Sequence, residues 1–210
     1  MRRILITGGA PRIPIDAVRH LAVHATGATA MGLAERLDGL GVDLLLSIDA
    51  APGQAWNRYR DRAELEQHLA TWLADHPDGV VVMSAAINDY QFEHLEHERD
   101  GQRARLPAGS KLPSGADHVT IHLIPDSKLV DRLGPEFGHQ GPLIAFKYEA
   151  ADTVLTSAAK LRDRVSAALV VANSIDGSVQ ALVGDEIWQA ADRTELLDEL
   201  AQRIRPLANS

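Results

Sequence analysis

Ile4-Leu5-Ile6-Thr7-Gly8-Gly9-Ala10-Pro11-Arg12-Ile13-Pro14-Ile15-Asp16 is the stretch from which the rest of the chain is read. A short apolar run stops at two glycines and then meets two prolines, the pattern of a buried strand that hands the chain to a tight loop. Backbone N–H groups in such a loop, and at the N-terminus of the next helix, lack internal partners and lie at the positive end of the helix dipole. They can therefore hold phosphate oxygens. A Gly-Gly turn also occurs where close packing alone requires it, so function rests on what the other strands bring to the same edge.

Further apolar runs recur at 42–48, 80–84, 119–124, 143–146 and 169–172, most of them near-continuous, which is the mark of strands covered on both faces. Helical spacing is expected at about 27–40, 62–75, 127–134, 151–165 and 193–206. The alternation predicts an α/β chain with a mostly parallel, doubly wound sheet. Leu33, Leu37 and Leu40 before Gly41, and Leu65, Leu69, Trp72 and Leu73, read as core stripes. Gly184-Asp185 between two apolar runs predicts a C-terminal hairpin. Residues 91–115 are charged, weakly periodic and punctuated by Pro107, Gly109, Pro113 and Gly115, so they are expected to form a flap.

The 210 residues suffice for one large domain and carry no cysteine, which removes disulfides, thiolate metal sites and a thiol nucleophile. The apolar run after Met1-Arg2-Arg3 is too short for a signal-peptide core, and a cytoplasmic protein is expected. A net charge of −8 argues against nucleic acid or an anionic membrane as partner, and leaves room for a local basic pocket. On a helix, His94 and His97 could share a face, but no third ligand stands at a recognisable spacing and no metal site is expected; His118 and His122 read as structural or rim residues. There is no Gly-x-Ser-x-Gly elbow. A dehydrogenase reading of Thr7-Gly8-Gly9-Ala10 fails on the missing third glycine and on the absence of a Tyr-x-x-x-Lys pair.

Four strand ends, the one at Gly8-Gly9 among them, and the flap supply the candidate site residues. Val82-Met83-Ser84-Ala85-Ala86-Ile87-Asn88-Asp89-Tyr90 closes in small residues that let a base or ribose approach, then in an acid that accepts hydroxyl hydrogen bonds. The flap segment Ser110-Lys111-Leu112-Pro113-Ser114 offers a cation able to close over a triphosphate. Ala145-Phe146-Lys147-Tyr148-Glu149 and Val171-Ala172-Asn173-Ser174 end two more strands.

In this order, these motifs resemble the phosphopantothenoylcysteine synthetase family, whose members show Thr-Ala-Gly-Gly-Thr-Arg-Glu-Pro-Ile-Asp-x-Val-Arg, Ala-Ala-Val-Ala-Asp-Tyr, a flap lysine, Gly-Phe-Ala-x-Glu-Thr and Ala-Asn-Asp. The resemblance spans nearly the whole chain. It implies a single Rossmann-like nucleotide-binding domain, usually a homodimer, that uses CTP or ATP with Mg²⁺ to join a small-molecule carboxylate to an amine through an acyl-nucleotidylate. It further implies that Gly8, Gly9, Ala10, Thr26, Gly27, Ala85, Ala86, Asp89 and Phe146 hold the nucleotide, that Arg12 and Asn173 meet the substrate, and that Lys111 is catalytic. Two departures stand out: the family's Asn-x-Ser-Ser-Gly-Lys segment aligns with Val23-His24-Ala25-Thr26-Gly27-Ala28, so that its asparagine is Val23 and its lysine Ala28; in addition the flap lysine lies further from Asp89 than is usual in the family, and Gly-Phe-Ala has become Ala145-Phe146-Lys147. A paralogue acting on another substrate, or binding nucleotide without catalysis, is the alternative, and an NAD(P)-dependent oxidoreductase is the third reading.

Overall fold

The computed structural model describes residues 1–51, 55–107 and 109–210. The first strand, β1 (Ile4–Gly8), is buried throughout: Ile4 and Ile6 join one core layer and Leu5 the other, as the two-residue period of a strand requires. A small ribbon, β2 (Ile13–Pro14) with β3 (His20–Leu21), precedes α1 (Ala28–Arg36) and β4 (Val42–Ser47). Then come β5 (Asn57–Tyr59), α2 (Arg62–Asp75) and β6 (Val80–Met83). The flap is β7 (Tyr90–Arg99), β8 (Gln102–Arg105) and β9 (His118–Pro125). After α3 (Leu129–Arg132), the chain runs through β10 (Leu143–Glu149), α4 (Val154–Val165), β11 (Leu169–Ser174), β12 (Gln180–Val183), β13 (Ile187–Gln189) and α5 (Arg193–Asn209).

Eight strands form one sheet in the order β13-β12-β11-β10-β6-β1-β4-β5. The six from β11 to β5 are parallel, while β12 and β13 add the antiparallel hairpin at the edge. The expected Rossmann-like, doubly wound, mostly parallel α/β architecture is what the chain adopts. Leu33, Leu37, Leu196, Leu200 and Ile204 cover one face from α1 and α5. Leu65, Leu69, Trp72 and Leu73 cover the other from α2, joined by Val154, Ala158 and Leu161 of α4. Each such apolar side chain contributes roughly 1.5–3 kcal/mol on full burial. Asp61 caps α2 by accepting from the Glu64 N–H at 3.0 Å, worth about 1 kcal/mol, and Trp72 donates its indole N–H to buried Asp43 at 2.9 Å.

Several expectations are corrected. Residues 119–124 are not a covered strand of the main sheet: β9 pairs with β7 in a separate antiparallel sheet of order β8-β7-β9, and most of it is exposed. The flap is therefore an ordered sheet rather than an aperiodic connection. His94 and His97 lie on a strand, where a separation of three puts them on opposite faces. Helix α1 ends at Arg36, so Leu40 belongs to the following turn, and the third helix has four residues rather than the expected 127–134. The strand β5 and the ribbon β2-β3 have no counterpart in the sequence reading. No helix among the described residues is long and apolar enough to cross a membrane.

Candidate functional site

Strand order reverses beside β1, which sends the chain towards β4 on one side and meets β6 on the other. An open sheet of this kind leaves a crevice beyond the carboxyl ends of its strands at the reversal. The crevice here is a cavity of about 980 Å³.

The glycine pair shapes its floor. A Cβ on Gly8 would stand 2.5 Å from the Ala30 Cβ, so Gly8 is what lets α1 pack onto the loop, the contact that the missing third glycine was expected to make. Gly9 has φ +82, and a Cβ there would lie 2.1 Å from Ser47 Oγ. Both glycines thus have packing reasons, but only Gly9 fronts the cavity. Gly27, the N-cap of α1, adopts φ 75 and has no side chain to cap the helix; Thr26 Oγ1 accepts from the Ala28 N–H at 3.4 Å, and the dipole's positive end faces the wall formed by Thr26, Gly27, Ala28 and Thr29.

Of the residues singled out from the sequence, Gly9, Thr26, Gly27, Ala85, Ala86, Asp89, Phe146 and Asn173 come together on this wall. Gly8 lies beneath it, and Ala10 is buried with its N–H directed at Ser47 Oγ, 3.3 Å away. Arg12 is elsewhere. It forms a two-pronged ion pair with Asp49 (2.7 and 2.5 Å) and lines a separate groove of about 500 Å³. Lys111 is exposed on the loop between β8 and β9, off the cavity wall. That loop is pinned to the β2-β3 ribbon, where the Asp16 carboxylate accepts from the Leu112 N–H at 3.0 Å as well as from Val18 and Arg19. The Leu112 bond, followed by those of its own turn, holds the Asp16 carboxyl well below the usual carboxylate range.

The sequence reading missed a cationic wall. Lys128, Lys147, Lys160, Arg164 and Arg193 all line the cavity, whereas Asp89 is the one carboxylate doing so among the described residues. Lys128 meets Asp89 at 2.5 Å, Lys147 meets Glu149 at 2.6 Å and Arg164 meets Asp131 at 3.0 Å. Among the described residues Arg193 donates only to neutral oxygens, those of Asn173 and Thr29, and burial pushes its guanidinium below its ordinary value. Lys160 makes no ion pair among the described residues. A signal for part of this wall existed: Ser157, Lys160 and Arg164 recur at intervals of three and four on α4, a polar stripe beside the buried Ala158 and Leu161.

The DNA/pantothenate metabolism flavoprotein C-terminal domain family matches residues 1–195. The chain belongs to that family. Among curated relatives, the coenzyme A biosynthesis bifunctional protein CoaBC of Thermococcus kodakarensis is 27% identical over 97% of this chain and 50% of its own length. The chain thus spans about half the length of the curated relatives it matches. The DNA/pantothenate metabolism flavoprotein of Streptococcus pneumoniae superposes with a TM-score of 0.80 at 18% identity, over 98% of this chain and 99% of the other. A Cab2 mutant in complex with phosphopantothenate-cysteine gives a TM-score of 0.72 at 13% identity, over 99% and 86%. In this family member the two departures lie on the cavity itself: Val23, 42% exposed, and Ala28 both line the wall.

Proposed function

We propose that the protein is a nucleotide-dependent carboxylate–amine ligase of the phosphopantothenoylcysteine synthetase type, acting in coenzyme A biosynthesis or on a related pair of substrates. The observation that carries this reading is the charge of the cleft: a chain of net charge −8 gathers five cations on one wall, of which Lys160 and Arg193 have no carboxylate partner among the described residues, beside the N-terminus of α1. That arrangement suits a nucleoside triphosphate, CTP or ATP. Family membership, and the fold shared with a Cab2 mutant solved with phosphopantothenate-cysteine, support this choice of substrate class.

The chemistry asks little of an enzyme nucleophile. A substrate carboxylate oxygen attacks the nucleotide α-phosphorus, the bond to the β-phosphate oxygen breaks and pyrophosphate leaves. The amine nitrogen then attacks the acyl carbon and loses its proton, and the acyl–oxygen bond breaks to release the nucleoside monophosphate. Positioning and charge neutralisation carry most of the rate. Gly9, Thr26 and the first turn of α1 would cradle the phosphates, Ala85 and Ala86 would admit the nucleoside to the backbone, and Asp89 would accept its hydroxyls. Phe146 would lie against the base. Lys160 is placed to meet charge developing on the leaving pyrophosphate, with Lys111 joining it when the flap loop closes. Mg²⁺ would neutralise the triphosphate; with a single carboxylate on the wall it would arrive on the nucleotide rather than in a protein cage, as is usual for this ion.

A second reading rests on Val23. An apolar side chain offers neither the donor nor the acceptor of the family's asparagine. A ligase for another amine or carboxylate, or a nucleotide-binding paralogue, follows from it. We further read the protein as a homodimer, because Val119, Ile121 and Leu123 form an alternating apolar row on β9 that is 37–44% exposed.

The test combines melting temperature with pyrophosphate release. CTP or ATP with Mg²⁺ should raise the melting temperature and NAD(P)H should not. With 4′-phosphopantothenate and cysteine, wild type should release pyrophosphate at most once per site, and Val23→Asn should turn over repeatedly. Rapid multiple turnover by wild type would remove the second reading. Tight nicotinamide binding with no response to either triphosphate would sink the ligase. A monomer in light scattering at high concentration would end the dimer.

A further inference from the structure

The flap holds a cluster that the ligase reading does not use. At the start of β7 the pairing register with β9 shifts between Phe92 and His94, which marks a bulge at Glu93. A bulge re-aims side chains, and here it brings Glu93 and His94 to the same place: Glu93 Oε2 lies 3.1 Å from His94 Nδ1. His94 pairs directly with His122 of β9, and the two imidazoles stack with centroids 4.0 Å apart and planes 8° from parallel. Glu96, two residues on from His94 and so on the same face, sets one oxygen 3.5 Å from His94 Nε2 and the other 3.5 Å from His122 Nε2. None of these four residues lines the nucleotide cavity.

As it stands the cluster is poorly satisfied. Contacts of 3.5 Å are long for hydrogen bonds, and His122 Nε2 is shut off from water without a hydrogen-bond partner among the described residues. Two carboxylates face the two imidazoles, a mixed oxygen and nitrogen donor set of the kind that divalent transition metals take. Single donor atoms of Glu93, His94 and His122 already lie within 4.8 Å of one another. The edge of a zinc tetrahedron with bonds of about 2.1 Å is roughly 3.4 Å, so coordination requires side-chain torsions that close this difference and swing the two stacked rings out of parallel until their in-plane lone pairs converge.

We propose that Glu93, His94 and His122 form a transition-metal site of the zinc class that staples β7 to β9, with Glu96 gripping the far edge of both imidazoles. Mixed imidazole and carboxylate donors select zinc-like ions over Mg²⁺ or Ca²⁺, which prefer all-oxygen sets. A carboxylate on the opposite ring nitrogen is the partner that fixes the tautomer of a metal-bound histidine.

The experiment uses tag-free full-length protein stripped with EDTA and titrated with Zn²⁺ alone, and with Co²⁺ for its visible absorption band. Wild type should bind one ion per chain and melt at a higher temperature with it. Loss of an outer partner costs 10–100-fold in affinity, so Glu96→Gln should fall in that range, while His94→Gln and His122→Gln, which remove ligands, should each lose at least ~100-fold. Exposed His118, on the same strand, supplies the control: His118→Gln should bind as wild type does. All substituted positions are partly exposed, and metal-free circular dichroism matched to wild type confirms the fold; Glu93→Gln replaces any variant that fails it. Absence of saturable one-per-chain binding in wild type, or unchanged binding in the His94→Gln/His122→Gln double variant, would overturn the proposal.

Discussion

Gly9→Ala tests whether the loop after β1 is shaped as described. Two costs add. An L-residue held at φ +82 is strained by about 1–2 kcal/mol, and the new methyl would lie 2.1 Å from Ser47 Oγ and 2.9 Å from its Cβ, an overpacking worth about 1–3 kcal/mol. The sum, ~2–5 kcal/mol, corresponds to a fall in melting temperature of ~4–20 °C, at ~2–4 °C per kcal/mol for a chain of this size. Gly177→Ala separates the two terms, since Gly177 has φ +75 and a methyl added there would meet nothing within 4 Å, so only the ~1–2 kcal/mol strain applies. The double variant Gly9→Ala/Ser47→Gly removes the hydroxymethyl clash but not the strain, and also the acceptor of the buried Ala10 N–H, so it should lose less than the sum of Gly9→Ala and Ser47→Gly measured singly. Calorimetry on these proteins decides the matter. If Gly9→Ala loses no more than Gly177→Ala, the contact between the loop and Ser47 is wrong, and with it the floor of the cavity.

Lys160→Gln should lower pyrophosphate release by ~10²–10³-fold with the fold intact, as removal of an oxyanion donor does; an unchanged rate would show that Lys160 does not meet the leaving group. Lys111→Gln, assayed alongside, should lose at least ~10²-fold by the same reasoning, and a wild-type rate would mean that the flap loop never closes over the phosphates. Asp16→Asn removes acceptor capacity from the clasp on Leu112, so limited proteolysis within 106–117 should speed up, and an unchanged cleavage pattern would refute the clasp. Asp176 has its carboxyl lowered to about 2, chiefly by the Ser174 hydroxyl and then by the Ser178 N–H. A depressed folded-state value means that its contribution is full above an unfolded value of about 3.9 and is lost as pH falls through about 2. The stability difference between wild type and Asp176→Asn should therefore be constant near neutrality and shrink below pH ~4; curves that stay parallel down to pH 2 would contradict the assignment.

The parallel sheet was legible because burial on both faces leaves a mark that needs no partner to interpret: 4–7, 80–84, 143–146 and 169–172 are apolar almost without interruption. The terminal hairpin was legible because Gly184-Asp185 fixes its turn locally. Strand β9 failed for the converse reason. Its row Val119, Ile121 and Leu123 alternates with Thr120 and His122, a pattern that shows one apolar face without saying whether a helix or a second subunit covers it. β5 and the β2-β3 ribbon are too short to show any period.

The cavity divides along the same line. Gly9, Gly27, Ala85 and Ala86 were anticipated at the cavity wall, because small residues at the end of an apolar run are a signal written at the position itself. The cations were not, because a lysine becomes part of a site only through the direction in which the fold points it. Lys160 is one charged residue among many on an amphipathic helix until α4 is laid against β10 and β11, when its stripe with Ser157 and Arg164 turns toward the strand ends. Lys111 shows the opposite case: its motif matched, yet the β8-β9 loop carries it onto the β2-β3 ribbon and off the wall. The same holds for His94 and His122, 28 positions apart in sequence, whose stacking exists only because a bulge at Glu93 sets the register of two flap strands. Charged and imidazole side chains become legible at the level of register and helix docking, one step above what spacing along a single strand can state.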